Sequence, residues 1–333
     1  MHSHHSHSGD YVAHGVDGLE AIVTRVSELG FDVYCMTEHM PRIDQKYLYP
    51  EEITGDSSAD LKLLQQKFIE YLAHATKVKN RGLRTEFIIG MEVEGCDLKH
   101  IDYAQSLMQR HSDVMKFCVG SVHHVNQIPL DFDQQCWYQC LKSCGNSVRQ
   151  LMVTYLELQF ELLTRLKPQV VGHFDLFRLY CPNELVVDSR SGERVPDGSE
   201  FGVRVGELSL VEQWPEVKSL ALRNLEFVAC YGGLLELNSS GLRKKLQDPY
   251  PGRDFAQLAK QVPGTRFVLS DDAHAVSQVG VCYDQVLEYI DKVLKLDNLY
   301  FLCETQSGKL CVNSMDLEQV KSHPFWQRFQ DQN

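Results

Sequence analysis

A chain of 333 residues with 43% apolar and 23% charged side chains can bury a large core and has the balance of an ordinary globular protein. Its 45 acidic and 33 basic side chains leave a formal net charge of −12. The one basic cluster is Arg243, Lys244 and Lys245, so a broad basic face for nucleic acid is excluded. No apolar run reaches the roughly 18 residues that would span a bilayer, and the first residues lack a cationic and apolar signal pattern; the expectation is a cytoplasmic protein with no membrane partner. The 11 cysteines contain no CxxC pair. Cys136, Cys140 and Cys144 line one helix face, which cannot readily close a tetrahedron around an ion, so reduced, packed thiols are expected.

In chain order, a His-rich start (His2, His4, His5, His7, His14) precedes a helix predicted over 16–29. Leu19, Ile22, Val23, Val26 and Leu29 form its apolar stripe and Gly30 stops it. A strand is predicted over 31–37. The loop over 41–58 is longer than most connections and suits a lid or rim. A helix over 60–79, a strand over 87–91, a helix over 100–110 and a strand over 115–122 follow. Helices are predicted over 132–144 and Val148–Leu166, then a short strand over 170–172. Residues 181–203, with Pro182, Gly192, Pro196, Gly198 and Gly202, read as a surface loop. The rest reads as a mostly helical 208–224, a strand over 233–238, a helix over 253–260, a strand over Phe267–Ser270, a helix over 278–293 and a hairpin from 300–303 and 309–313. About seven strands alternating with helices, with no composition shift, predict an α/β fold of barrel type as a single domain over 1–333.

Metal-type ligands recur where these strands stop: His5 and His7, Glu38 and His39, Glu92, His123, His173 with Asp175, and Asp272 with His274. Catalytic groups of parallel α/β enzymes sit at the C-terminal ends of strands, so six such placements point to one site. Two histidines two apart share a face of an extended segment and can reach one ion; His2/His4 and His5/His7 both satisfy this, and the register stays open. The donors suffice for two or three divalent ions, with Glu92 free to bridge a pair. Imidazole and carboxylate ligation suits zinc, iron or manganese. Such a cluster activates water and neutralises charge on phosphoryl oxygens, and arginine can clamp a phosphate in bidentate fashion. Arg42, Arg178 and Arg243 each follow a candidate ligand or strand end within a few residues.

The segments His5-Ser6-His7-Ser8, Thr37-Glu38-His39, Gly90-Met91-Glu92-Val93-Glu94, Gly120-Ser121-Val122-His123, Gly172-His173-Phe174-Asp175, Glu236 to Arg243 and Ser270-Asp271-Asp272-Ala273-His274 resemble, in order and spacing, the PHP (polymerase and histidinol phosphatase) superfamily, in its fungal-type histidinol-phosphatase branch. The resemblance implies a distorted (β/α)7 barrel with three divalent metal ions, zinc above all, with iron or manganese as alternatives. It implies one ion on His5, His7, Glu92 and Asp272, a second on Glu92, His123 and His173, and a third on His14, His39 and His274. Among these, Glu92, Asp272 and His274 are the expected catalytic residues. The implied reaction is hydrolysis of L-histidinol phosphate to L-histidinol and phosphate in histidine biosynthesis, without a phosphoenzyme. Arg178 and Arg243, then Arg42, are the candidates for the phosphate; Glu94, Asp175 and Glu236 are those for the cationic end of the substrate. Homo-oligomerisation stays open.

Overall fold

The structure is a computed structural model and describes residues 1–332. Seven parallel strands pair in chain order: β1 (His2–Ser3), β2 (Val33–Met36), β3 (Glu86–Glu94), β4 (Phe117–Ser121), β5 (Val170–Val171), β6 (Leu234–Asn238) and β7 (Phe267–Ser270). The ring closes through the backbone just past β1. His4 N donates to Leu269 O (3.1 Å), Asp272 N to His5 O (2.9 Å) and His7 N to Ala273 O (2.7 Å). A barrel of the expected α/β kind results.

Strand alternation sorts the side chains into two cores. Val33, Cys35, Ile88, Phe117, Val119, Val170, Leu234 and Val268 fill the barrel interior, while Tyr34, Met36, Phe87, Ile89, Met91 and Leu235 face the surrounding helices. Gly90 belongs to the inward series of β3, and a Cβ there would lie 2.5 Å from the Phe117 ring, so glycine makes room for that ring. Following β3 toward its C-terminal end, the inward positions run Ile88, Gly90, Glu92, Glu94; along β6 they run Leu234, Glu236, Asn238. One end of the barrel is therefore apolar and the other is lined with ligands. The apolar end is closed by a hairpin of β8 (Asn298–Glu304) and β9 (Leu310–Asp316), which inserts Leu302 into the inner core.

Around the ring lie α1 (Leu19–Leu29), α2 (Ser57–Lys79), α3 (Leu98–Arg110), α4 (Gln134–Ser143), α5 (Val148–Leu166), α6 (Pro215–Tyr231) and α7 (Arg253–Gln261). All five apolar stripe residues of α1 are buried, and Gly30 (φ +74°) terminates it in the left-handed region. Several boundaries differ from the sequence reading for identifiable reasons. β3 runs on to Glu94, because Glu92 pairs with Val119 and Glu94 with Ser121 inside the sheet. The helix expected over 208–224 is split into Leu210–Gln213 and α6, because Pro215 cannot sit inside a helix but starts one well. The helix expected from 278 starts at Tyr283, after Gly280 (φ +69°) and Cys282 (φ +60°), and ends in a π-helical segment, Tyr289–Leu294. The 181–203 loop contains a short hairpin, Val186–Asp188 with Gly202–Arg204. Leu317–Lys321 and Phe325–Gln332 add two helices beyond the expected tail hairpin. The 11 cysteines are free thiols, and none joins a metal-donor group among the described residues. No helix among the described residues is long and apolar enough to cross a membrane.

Candidate metal centre

The choice between the two histidine pairs is decided by a bend at His4, where the inward alternation slips by one residue. His2 stacks on Phe301 of the hairpin (centroids 5.3 Å). His4 Nδ1 donates to Leu269 O (2.8 Å) and its Nε2 accepts from Leu302 N (3.0 Å). Those two bonds define a neutral Nδ1–H imidazole, and burial pushes the His4 pKa down to about 4. His2 and His4 thus anchor the closed end. His5 and His7 point to the open end.

Glu92 divides its carboxylate between two histidine pairs. Its Oε2 lies 3.2 Å from His5 Nε2 and 3.3 Å from His7 Nε2. Its Oε1 lies 3.2 Å from His123 Nε2 and 3.1 Å from His173 Nε2. Asp272 Oδ1 completes the first group, 3.7 Å from His5 Nε2 and 3.5 Å from His7 Nε2. Adjacent donors on a tetrahedral ion with bonds of about 2.05 Å are separated by about 3.3 Å, so these spacings match donors waiting on a common cation. His5 Nε2 and His7 Nε2 are buried with no hydrogen-bond partner, a state that a cation would relieve. Three donor groups meet the geometry among the described residues: His5, His7 and Glu92; Glu92, His123 and His173; and His7, His39 and His274. His14 stands at the rim with its Nε2 3.1 Å from His274 Nε2. Asp272 holds φ +49°, unusual for a non-glycine residue and of the kind tolerated at functional sites.

A second layer of carboxylates sets the ring orientations. His5 Nδ1 lies 3.2 Å from Glu236 Oε2, and Glu236 Oε1 accepts from His173 N (2.6 Å) and Asn238 Nδ2 (2.7 Å). Glu94 lies 2.9 Å from His39 Nδ1 and 3.3 Å from His123 Nδ1, and accepts from Arg42 Nη1 at 2.7 Å. Glu38 accepts from Ser8 Oγ (2.6 Å) and Ser8 N (3.1 Å), fixing the turn after His7. Such partners hold tautomer and orientation. Burial opposes charge throughout, yet Glu92, Glu236 and Asp272 raise the His5 pKa well above its usual value. Burial likewise opposes ionisation of Glu92, but His5, His123 and His39 hold it well below the usual carboxylate range.

The donors face a cavity of about 330 Å³ whose wall includes His14, His39, Glu92, His123, His173, Asp272 and His274. Of the three arginines, Arg243 lines it; its Nη2 donates to Asp272 O (2.8 Å) and its Nε has no partner. Arg42 is instead buried against Glu94 and Glu52, and Arg178 is turned onto Asp175 Oδ2 and Pro249 O, both at 3.2 Å. Glu94, Asp175 and Glu236 are all fully buried and do not line the cavity. Sequence reasoning missed Tyr49, Glu51, Asp131, Phe132, Lys244 and Gln278, which do. Tyr49 and Glu51 belong to the long 41–58 connection already marked as a rim. Asp131 falls between the predicted strand over 115–122 and the predicted helix over 132–144, and Phe132 is the first residue of that predicted helix, although the helix starts only at Gln134.

A family profile described as "PHP domain" matches residues 3–240. The chain is 48% identical over 335 residues to the histidinol-phosphatase of Saccharomyces cerevisiae, with 98% of this chain and 99% of that protein covered. It is 33% identical over 307 residues to a Schizosaccharomyces pombe protein named "Probable histidinol-phosphatase", with 92% and 90% covered. A crystal structure from Listeria monocytogenes superposes with a TM-score of 0.62 at 22% identity, over 86% of this chain and 99% of that one, and shows the same fold.

Proposed function

The chain belongs to the PHP-domain family, and from that premise we propose that it is a metal-dependent histidinol-phosphatase, hydrolysing L-histidinol phosphate to L-histidinol and phosphate within histidine biosynthesis. The observation that carries the reading is Glu92: one buried carboxylate reaches His5 and His7 with one oxygen and His123 and His173 with the other, at the floor of a cavity that Arg243 also lines. The whole of 1–333 acts as one catalytic domain.

Three divalent ions, zinc first and iron or manganese as alternatives, fit the donor set. His5, His7, Glu92 and Asp272 would hold one, Glu92, His123 and His173 a second, and His39 and His274 a third, with either His7 or His14 completing it. When bound, such ions lower the pKa of water and offset charge on phosphoryl oxygens. The protein's own contribution is orientation. Glu236 and Glu94 direct the rings of His5, His39 and His123; Arg42 keeps Glu94 ionised and in place; Arg243 offers its free guanidinium edge to phosphate oxygens. Arg178 and Asp175 brace the loop at 249–252, where Gly252 N donates to Asp175 Oδ2 (2.8 Å). Phosphate release from L-histidinol phosphate, compared with nucleoside monophosphates on the same metal-loaded protein, tests the assignment. A clear preference for L-histidinol phosphate is expected. Preference for a nucleotide overturns it.

A further inference from the structure

We infer that Asp131, on the same cavity wall as Glu51, receives the cationic tail of the substrate while the metals and Arg243 take its phosphate; the inference rests on the histidinol-phosphate reading. The cavity wall is segregated by charge. Arg243 and Lys244 follow β6, whereas Tyr49 and Glu51 follow β2 and Asp131 and Phe132 follow β4. In a ring ordered as the chain is, β6 lies across the barrel from β2 to β4, so base and acid face each other over the donors.

Asp131 stands apart from the other acids here. Among the described carboxylates lining the cavity, it alone has a buried oxygen, Oδ1, without a hydrogen-bond partner, and no ion pair reaches it. Glu92 and Asp272 are occupied by histidines, and Glu51 Oε1 lies 3.6 Å from His14 Nδ1 at the partly exposed rim. A desolvated carboxylate oxygen left unpaired is costly, and a donor supplied by a ligand removes the cost. The neighbouring wall suits an imidazole: the Tyr49 and Phe132 rings are nearly parallel (12°, centroids 6.3 Å apart), and Phe132 is 41% exposed. Aromatic faces attract cationic and aromatic groups and exclude water around an ion pair. Histidinol phosphate carries an ammonium on the carbon next to its phosphoester methylene and an imidazole at the far end, and both are hydrogen-bond donors on the side of the molecule turned from its phosphate oxygens. The acids expected from the sequence to meet that end, Glu94, Asp175 and Glu236, are spent on Arg42, Arg178 and His5.

The test is the selectivity of Asp131→Asn and Asp131→Glu, measured as kcat/KM for L-histidinol phosphate divided by kcat/KM for phenyl phosphate, which has no cationic tail. Asp131→Asn is expected to lower this ratio by about tenfold or more, mostly through KM for L-histidinol phosphate, since a charged hydrogen bond is lost. Asp131→Glu, which keeps the charge, is expected to recover most of it. An equal loss on both substrates, or an unchanged ratio, overturns the assignment of Asp131. If the wild-type protein hydrolyses phenyl phosphate but not L-histidinol phosphate, the parent reading fails and this one with it.

Discussion

Replacing Arg42 by methionine separates two roles for a buried cation. In the structure Arg42 is 3% exposed, its Nη1 donates to Glu94 Oε1 at 2.7 Å, and its Nε donates to Glu52 Oε2 at 3.1 Å. Glu94 is fully buried, and its pKa is well below the usual range; burial alone would raise it, but His123, Arg42 and His39 more than offset that. Methionine fills the stem volume and deletes the charge, leaving two carboxylates with one partner fewer. Breaking a buried pair from one side costs about 3–5 kcal/mol, and that loss is expected in urea denaturation of metal-free protein. Glu94 also orients His39 and His123, so metal affinity should fall by about 10–100-fold in a competitive chelator titration. The double variant Arg42→Met/Glu94→Gln should regain part of the stability, because the orphaned charge is gone. A stability change under about 1 kcal/mol, accompanied by a rise in KM alone, would refute this reasoning and assign Arg42 to the phosphate, the role its position in the sequence suggested.

Glu92→Ala removes a donor from two sites at once; elemental analysis of this variant is expected to find at least two ions fewer per chain than in wild type, and an unchanged metal content would contradict the bridging role. His4 is buried and neutral with a pKa of about 4, against about 6.5 unfolded. The unfolded chain therefore binds a proton that the folded one refuses as pH drops from 6.5 to 4, so stability present above 6.5 is lost across that window, by about 3 kcal/mol for this group. His4→Gln should flatten that part of the stability–pH profile in urea melts; an unaltered slope would count against a neutral, hairpin-bound His4. Gly90→Ala drives a methyl into the Phe117 ring and is expected to cost about 1–3 kcal/mol in thermal melts, whereas no loss would mean the ring is free to move.

Much of this was legible because ligand placement is a local property of strand ends. The alternation of helices and strands and the α1 stripe followed from periodicity with Gly and Pro as punctuation, and a tail hairpin was expected, but not that it closes the barrel or that two helices follow it. Glu92 was recognised as a ligand but set beyond its strand, since a run such as Glu92-Val93-Glu94 does not say whether a carboxylate ends a strand or lines it; the pairing with Val119 and Ser121 decides. The His5/His7 register could not be read either, because it depends on Leu302, a residue nearly 300 positions away that captures His4. Partner choice was the least legible. Arg42 and Arg178 sit at plausible distances from ligands along the chain, but only the fold reveals the carboxylates that claim them, and Asp131 becomes visible only as an oxygen with no claim upon it.

Anomalous diffraction from crystals of the metal-loaded protein tests the central claim most directly. Two peaks should flank Glu92, one against its Oε2 with His5 and His7 and the other against its Oε1 with His123 and His173, and a third should lie by His39 and His274. A single peak, or metal bound away from Glu92, would contradict the account.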